Sequence, residues 1–291
     1  MKISILIAAY HAGKYLPTAL AGVAAQTHAE WELVVVEDGS HDDTEAIIGA
    51  FAAAHPDAHV IYERFNENRG VAAARNRLLA LAQGETVAFL DADDVWDANH
   101  LASLASCLLS GRHALVCTPI TLWDMDAGRA MGVHRPTPAQ LSEPRRHLFE
   151  ISFIQTSSCV MLPRESIERA GLFDETLRIG EDRDYWFRVL DGGGTLGCTS
   201  SPSCRYTKHS GSSMSRPQRV AEDAVLFFRK HRSAADISQG LARRCLADAL
   251  RSLGRLTRSE NPVAARRAFL HAWKECPLDL DLPLRALTTR L

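Results

Sequence analysis

Between Thr86 and Asp94 the chain reads Thr-Val-Ala-Phe-Leu-Asp-Ala-Asp-Asp, an apolar run that ends in three carboxylates within four positions. Like charges at that spacing repel and raise one another's pKa unless a cation offsets them. Carboxylate oxygens are hard ligands that suit Mg2+ or Mn2+, and such ions also take oxygens from a substrate phosphate. The competing reading is an acidic turn in which Asp94 or Asp97 caps the helix that follows. A second acidic pair, Glu181-Asp182, precedes a helical pattern that starts near Asp184, where carboxylates complement the helix dipole. Arg75, on the helix before the acidic run, has a planar fork that suits two phosphate oxygens and equally suits an ion pair with the acidic loop. Gly70, at the start of that helix, allows close backbone approach where N–H groups can face a ligand.

These groups need a scaffold, and the hydrophobic pattern describes one. Residues 3–9, 32–37, 59–63 and the run from Thr86 read as strands, the first and last apolar on both faces and so covered on two sides. Between them, 14–26, a segment from Ser40 to Ala54 and 71–83 carry apolar residues at helical spacing, with Pro17 tolerated in a first turn. Ser40 with Asp43 resembles a capping box for the second of these helices. Strands alternating with helices of this length indicate βαβ units and a mainly parallel sheet. Asp38 and Asp91 then share the carboxyl edge of that sheet, where open α/β sheets hold ligands. Farther on, 99–109 reads as a helix and 113–118 as a strand, while 124–146, rich in Pro, Gly and charge, reads as an irregular insertion. Residues 158–162 are strand-like, 164–170 form a short helix stopped by Gly171, and 196–206 is a strand region broken by Pro202. From Arg219 the pattern is helical with Arg and Ala on the exposed faces, predicting a domain over 1–215 and a helical extension over 216–291. That extension's basic, amphipathic character suits either packing against a partner element or peripheral contact with a membrane surface.

Composition narrows the class. In 291 residues, 46% are apolar and 23% charged, as expected of a soluble globular protein with a sizeable core. A net charge of −2 gives no reason to expect nucleic-acid binding. Seven cysteines, without a CxxC pair, predict reduced thiols in a cytoplasmic protein rather than a disulfide framework or zinc site. A strand-like segment from Ile3, with no signal-peptide pattern and no run long enough to span a bilayer, predicts a protein that is soluble or at most peripheral.

Four ordered signatures, spread over residues 2–215, together resemble family 2 glycosyltransferases of the GT-A fold. They are Ser4-Ile-Leu-Ile-Ala-Ala-Tyr10 with Tyr15-Leu16 and Gln26-Thr27, and Glu32-Leu-Val-Val-Val-Glu-Asp-Gly-Ser40 with Asp43-Thr44. The third is Asn68-Arg-Gly-Val-Ala-Ala-Ala-Arg-Asn76 leading to Gly84-Glu85 and Phe89-Leu-Asp-Ala-Asp-Asp94. The fourth is Gly171-Leu-Phe-Asp-Glu175 leading to Gly180-Glu-Asp-Arg-Asp-Tyr-Trp186 and Arg188.

The resemblance implies a Rossmann-like α/β sheet between helices and transfer of a sugar, with inversion, from a nucleotide-sugar donor (a UDP-sugar first). The acceptor would be a saccharide, a lipid-linked glycan or another hydroxyl, in polysaccharide or glycan assembly. It implies a nucleotide site at Ala8, Tyr10, Asp38, Gly70, Arg75, Asp91 and Ala92, with Asp38 on the base and Asp91 toward the ribose or the base side. It further implies that Asp93, with His209 completing the shell, ligates a Mn2+ or Mg2+ ion bridging the diphosphate, with Asp94 in a supporting role. Asp182 is the implied catalytic base, with Glu181 as its reserve. Each has a plain counterpart: an Asx turn at Asp38, a solvated loop histidine at His209, helix caps at Glu181-Asp182. Trp186 reads as core or as an acceptor platform. The chain departs from the family pattern at Ala8, His11 and Glu37, which leaves the base preference open. Two other classes remain: a nucleotidyltransferase acting on sugar phosphates, and a non-catalytic glycan or nucleotide binder.

Overall fold

A computed structural model describes residues 1–209 and 216–277. The chain divides into two compact units. The first holds residues 1–148, 152–175 and 181–209, and the second holds 149–151, 176–180 and the helices from Pro217 onward.

The first unit is built by βα alternation: β1 (Ile3–Ala9), α1 (Leu16–Ala24), β2 (Trp31–Glu37), α2 (Thr44–Ala54), β3 (His59–Arg64), α3 (Val71–Leu81) and β4 (Thr86–Phe89). β1, β2 and β4 are almost wholly buried, as their unbroken apolar runs require of strands covered on both faces. β1 pairs parallel with β2 on one side and with β4 on the other, Leu6 facing Val34 and Phe89. The chain continues through β5 (Val95–Trp96), α4 (His100–Gly111), β6 (Leu115–Cys117), β7 (Ile120–Asp124), β8 (Arg129–His134), α5 (Pro138–Ser142) and α6 (Pro144–Glu150). After β9 (Val160–Pro163), α7 (Arg164–Ala170) and α8 (Glu181–Val189) come β10 (Leu196–Cys198) and β11 (Cys204–Lys208). The main sheet runs β10-β6-β9-β4-β1-β2-β3, with β9 antiparallel to both neighbours, and a second sheet runs β5-β11-β7-β8.

Several expectations need correction. The 124–146 segment is ordered: β7 and β8 form a hairpin, and α5 carries a true capping box between Thr137 and Gln140. β8 is exposed along nearly its whole length, so it has no buried face and no alternation to betray it. The Ser40–Asp43 capping box does not form; Ser40 donates instead to Glu37 Oε1 at 2.7 Å, and α2 starts without a side-chain cap. Neither Asp94 nor Asp97 caps α4 with its side chain; the His100 amide bonds the Asp97 carbonyl. Finally, α8 begins at Glu181, three residues before the expected start, which puts both acids of the pair in its first turn.

In the second unit α9 (Pro217–His231), α10 (Gln239–Thr257) and α11 (Pro262–Glu275) bury Val225, Phe227, Phe228, Leu246, Leu250 and Phe269. Phe149 packs on Phe227 and Phe228 at centroid distances of 5.9 and 5.2 Å. Ser238 and Asn261 cap α10 and α11 by accepting the amides of Leu241 and Ala264. The buried Asp223 carboxylate accepts the amides of Arg178 and Ile179 at 2.8 and 2.5 Å. None of the seven cysteines is in a disulfide. No helix among the described residues is long and apolar enough to cross a membrane.

Candidate active site

β4 ends at Phe89, and the Leu90 amide still bonds Leu6 before the chain leaves the sheet into the acidic turn. Because β1 is parallel to its two neighbours, the carboxyl ends of β4, β1 and β2 lie on one edge. That edge brings together Asp91, Ala92 and Asp93, then Ala8 and Tyr10, then Asp38, as the βα pattern requires. Tyr10 is 51% exposed with its ring against His11, whereas Ala92 is nearly buried between its two acidic neighbours.

Each carboxylate has a distinct environment. Asp91 accepts from Arg75 Nη2 at 2.9 Å on one oxygen and from Thr156 Oγ1 at 3.2 Å on the other, and its amide donates to Ser158 Oγ. Asp93 Oδ2 lies 2.9 Å from His209 Nε2, and the imidazole stacks on Tyr15 at 5.0 Å. Asp94 is fully buried and is held by Thr156 Oγ1 at 2.7 Å and the Thr207 amide at 2.9 Å. Burial first, and then Asp93 and Asp91, push Asp94 well above the usual carboxylate range. Thr156 has one hydroxyl proton for two carboxylates. A protonated Asp94 donating to Thr156 frees that proton for Asp91, so the neutral form satisfies all three groups.

Asp93 also titrates high, through burial and then the Asp91 charge, with His209 acting in the opposite direction. A carboxylate so placed gains from a cation. Two cis ligands of an ion at about 2.1 Å lie roughly 3 Å apart, and Asp93 Oδ2 and His209 Nε2 stand at 2.9 Å. A cation reaching both groups would take the place of the hydrogen bond between them. Among the described residues no group of three or more His, Cys, Asp or Glu side chains is arranged to hold a metal. Asp93 and His209 would supply two ligands to such an ion, and the rest of its shell would fall to phosphate oxygens and water, as hard divalent cations accept. The donor set fits.

Arg75 links the acidic turn to α8. Its guanidinium, 5% exposed, donates to Asp91 and, through Nη1 at 2.5 Å, to Glu181 Oε1. Arg75 thus makes an ion pair with the acidic loop. Burial disfavours its charge, but Asp91 and Glu181 more than compensate and raise its pKa. Asp91 and Glu181, 90 positions apart in sequence, consequently lie within about 8 Å of each other across one planar fork. Burial pushes Glu181 up to about 7, with Arg75 opposing and Asp182 reinforcing the shift. Asp182 is half-buried and also titrates high, chiefly by burial against the pull of Arg75, and accepts the Arg183 amide at 2.6 Å. Trp186 is wholly buried, against Phe89 and Phe173, which makes it core.

Asp38 shows a use that the Asx-turn reading did not contain. Its two oxygens accept the amides of Arg69 and Gly70 at 2.7 and 2.8 Å, tying the 66–70 loop to the sheet edge. Gly70 takes φ 95°, open to glycine at no steric cost, and starts α3. The Glu37 departure is structural: its carboxylate is buried and bonds Ser40 and Tyr62.

Sequence reasoning missed Thr156, Ser158 and Thr207, which anchor Asp91 and Asp94. The hydroxyl run Thr156-Ser157-Ser158 was the available signal, since such residues hydrogen-bond locally and to buried acids. It also left Asn76 without a role. Asn76 is buried; its amide donates to the Phe173 carbonyl and Glu175, and its oxygen accepts the Phe173 amide at 2.7 Å.

The model of the family described as Glycosyl transferase family 2 matches residues 4–171, more than half the chain. The succinoglycan biosynthesis protein ExoU of Rhizobium meliloti is 31% identical over 208 residues, covering 66% of this chain and 57% of that protein. Among solved structures, TarS of S. aureus in complex with UDP-GlcNAc superposes with TM-score 0.68 at 20% identity, over 94% of this chain and 81% of that one. The mannosyltransferase PcManGT of Pyrobaculum calidifontis, in complex with GDP-Man and Mn2+, gives TM-score 0.63 at 20% identity over 94% and 75%. At such identities the likeness is one of fold, the GT-A arrangement. The chain spans between 26% and 73% of the length of the curated relatives it matches. With the matched model spanning β1 through α7, the chain belongs to glycosyl transferase family 2.

Proposed function

We propose that this chain transfers a sugar, with inversion and with the help of a divalent cation, from a nucleotide-sugar donor to a glycan or lipid-linked hydroxyl acceptor. The observation that carries the reading is the single guanidinium of Arg75, which joins the acidic turn of the donor edge to the Glu181-Asp182 turn of α8. In this reading the acidic turn is the donor side and the Glu181-Asp182 turn the acceptor side, on either side of that one guanidinium.

In this reading the nucleotide lies along the ends of β1, β2 and β4, over Ala8, Tyr10, Asp38, Gly70, Asp91 and Ala92. Asp93 and His209 would hold a Mn2+ or Mg2+ ion, which when bound would neutralise charge on the departing diphosphate. The mannosyltransferase complex with GDP-Man and Mn2+ and the TarS complex with UDP-GlcNAc support a nucleotide-sugar donor and a divalent cation. Asp182 takes the proton of the acceptor hydroxyl as its oxygen bonds the anomeric carbon and the sugar–phosphate bond breaks. Glu181, sunk against Arg75, braces the turn rather than meeting the acceptor. Asp182 has the better access, and the raised pKa of this half-buried carboxylate makes it a stronger base at neutral pH. The succinoglycan relative supports an acceptor that is itself a growing glycan.

The test is a panel of nucleotide-sugars, with and without Mn2+ or Mg2+, scored for release of nucleoside diphosphate. The anomeric configuration of the transferred sugar is then read by NMR. Inverted product with metal-dependent release is expected. Pyrophosphate released from a nucleoside triphosphate would favour nucleotidyl transfer, and retained configuration would remove Asp182 from its role.

A further inference from the structure

We infer that the outward face of α11 docks the protein on an anionic lipid surface. The face is built at helical spacing: Val263, Arg267, Leu270 and Lys274 follow one another at intervals of four, three and four residues, with Arg266 and Trp273 alongside. Val263 is 53% exposed, and Leu270 and Trp273 are 38% exposed, while Ala265, Ala268, Phe269 and Ala272 fill the buried side of the same helix. A shallow groove runs among these outward side chains.

Charge separates this region from the rest of the chain. Residues 216–277 contain thirteen Arg and Lys against six Asp and Glu, although the whole chain carries a net −2. Glu275, the single acid of α11, is drawn toward Arg232 and Arg243 at 3.3 and 3.8 Å. The field is felt within the unit. His271 titrates below its ordinary value, first through burial and then through Arg229, Lys274 and Arg267, so the cationic zone reaches from α11 to α9.

The pattern discriminates between occupants. Protein interfaces have a contiguous apolar centre depleted of lysine, whereas here each apolar side chain is flanked by a cation. At a bilayer that interleaving is favourable: tryptophan and leucine enter the headgroup boundary while long cationic stems reach back to lipid phosphates. Each cation close to an anionic leaflet strengthens partitioning about fivefold, so Arg266, Arg267 and Lys274 together supply roughly a hundredfold.

The test floats the full chain with vesicles of phosphatidylcholine alone and of phosphatidylcholine mixed with phosphatidylglycerol, across a salt series. Binding only to the mixed vesicles, weakening steeply with salt, is expected. The combined variant Arg266→Gln, Arg267→Gln, Lys274→Gln should lose roughly a hundredfold in partitioning with an unchanged melting temperature. Leu270→Ser with Trp273→Ser should weaken binding while leaving its salt dependence. Equal binding to both vesicle types, no binding at low salt, or an unaffected charge variant would overturn the proposal. So would a dimer in solution that the same substitutions dissolve, or binding that appears only after residues 278–291 are removed. If the charge variant fails to fold, the salt series on the unaltered chain still decides.

Discussion

Replacing Arg75 by methionine keeps the length of the stem and removes the fork that two carboxylates share. Asp91 loses its 2.9 Å partner and Glu181 its 2.5 Å partner at a site where the arginine is 5% exposed. Deleting one member of a buried ion pair costs about 3–5 kcal/mol, because the charges left behind have no compensation. The cost depends on pH through Glu181. In the native chain its pKa of about 7 exceeds the unfolded value of 4.5, so between these limits the folded state binds more protons than the unfolded one. Stability from this group is therefore fully present below about 4.5 and is lost as pH rises through about 7. Without Arg75, which holds the pKa down, Glu181 keeps its proton to higher pH and the deleted pair matters less in acid. Urea unfolding of Arg75→Met at pH 5.5 and pH 8 should thus give a loss of about 3–5 kcal/mol at pH 8 and at least about 1 kcal/mol less at pH 5.5. Arg75→Lys, a point charge that cannot span both acids, should fall between the two. A loss under about 1 kcal/mol, or one equal at both pH values, would refute the claim that Arg75 is the electrostatic link between the two acidic turns.

Three further outcomes follow from the same geometry. Asp94→Asn should change unfolding stability by less than about 1 kcal/mol, since the amide reproduces a protonated Asp94 toward Thr156 and Thr207; a large loss by urea titration would mean that Asp94 is ionised. Asn76→Ala should cost about 2–3 kcal/mol by leaving the Phe173 amide and carbonyl unpaired in a buried site, read as a lower urea midpoint. Gly39→Ala should destabilise by about 2–4 kcal/mol, because φ is +70° and the added Cβ would meet the Glu67 carbonyl carbon at 2.3 Å; a neutral thermal shift would show that the loop can yield.

What could be read from the sequence follows from burial. β1, β2 and β4 are covered on both faces, so their apolar runs declare them, and the parallel order places Asp38 and Asp91 on one edge before any coordinates are known. β8 carries no buried face and left no trace. The acidic turn is legible because its charges are contiguous. Its anchors are not: Thr156 and Thr207 meet Asp94 across 62 and 113 positions. Nothing local distinguishes them from other loop hydroxyls. The relative depths of Glu181 and Asp182 were equally hidden, since adjacent residues on a helix face different directions and only the packed structure says which one meets Arg75. The start of α8 is masked in sequence because Glu181 and Asp182 resemble residues ahead of a helix, while both lie within its first turn.

The central claim is that Asp93 belongs to the cation and donor side and Asp182 to the proton-accepting side of one site. It is tested most directly by measuring, on the same preparations, the Mn2+-dependent thermal shift caused by UDP and the rate of UDP release from a UDP-sugar in the native chain, Asp93→Asn and Asp182→Asn. The account predicts that Asp182→Asn keeps the shift and loses turnover by about a hundredfold or more, whereas Asp93→Asn loses the metal-dependent part of both. Undiminished turnover in Asp182→Asn, or a full Mn2+-dependent shift in Asp93→Asn, would contradict it.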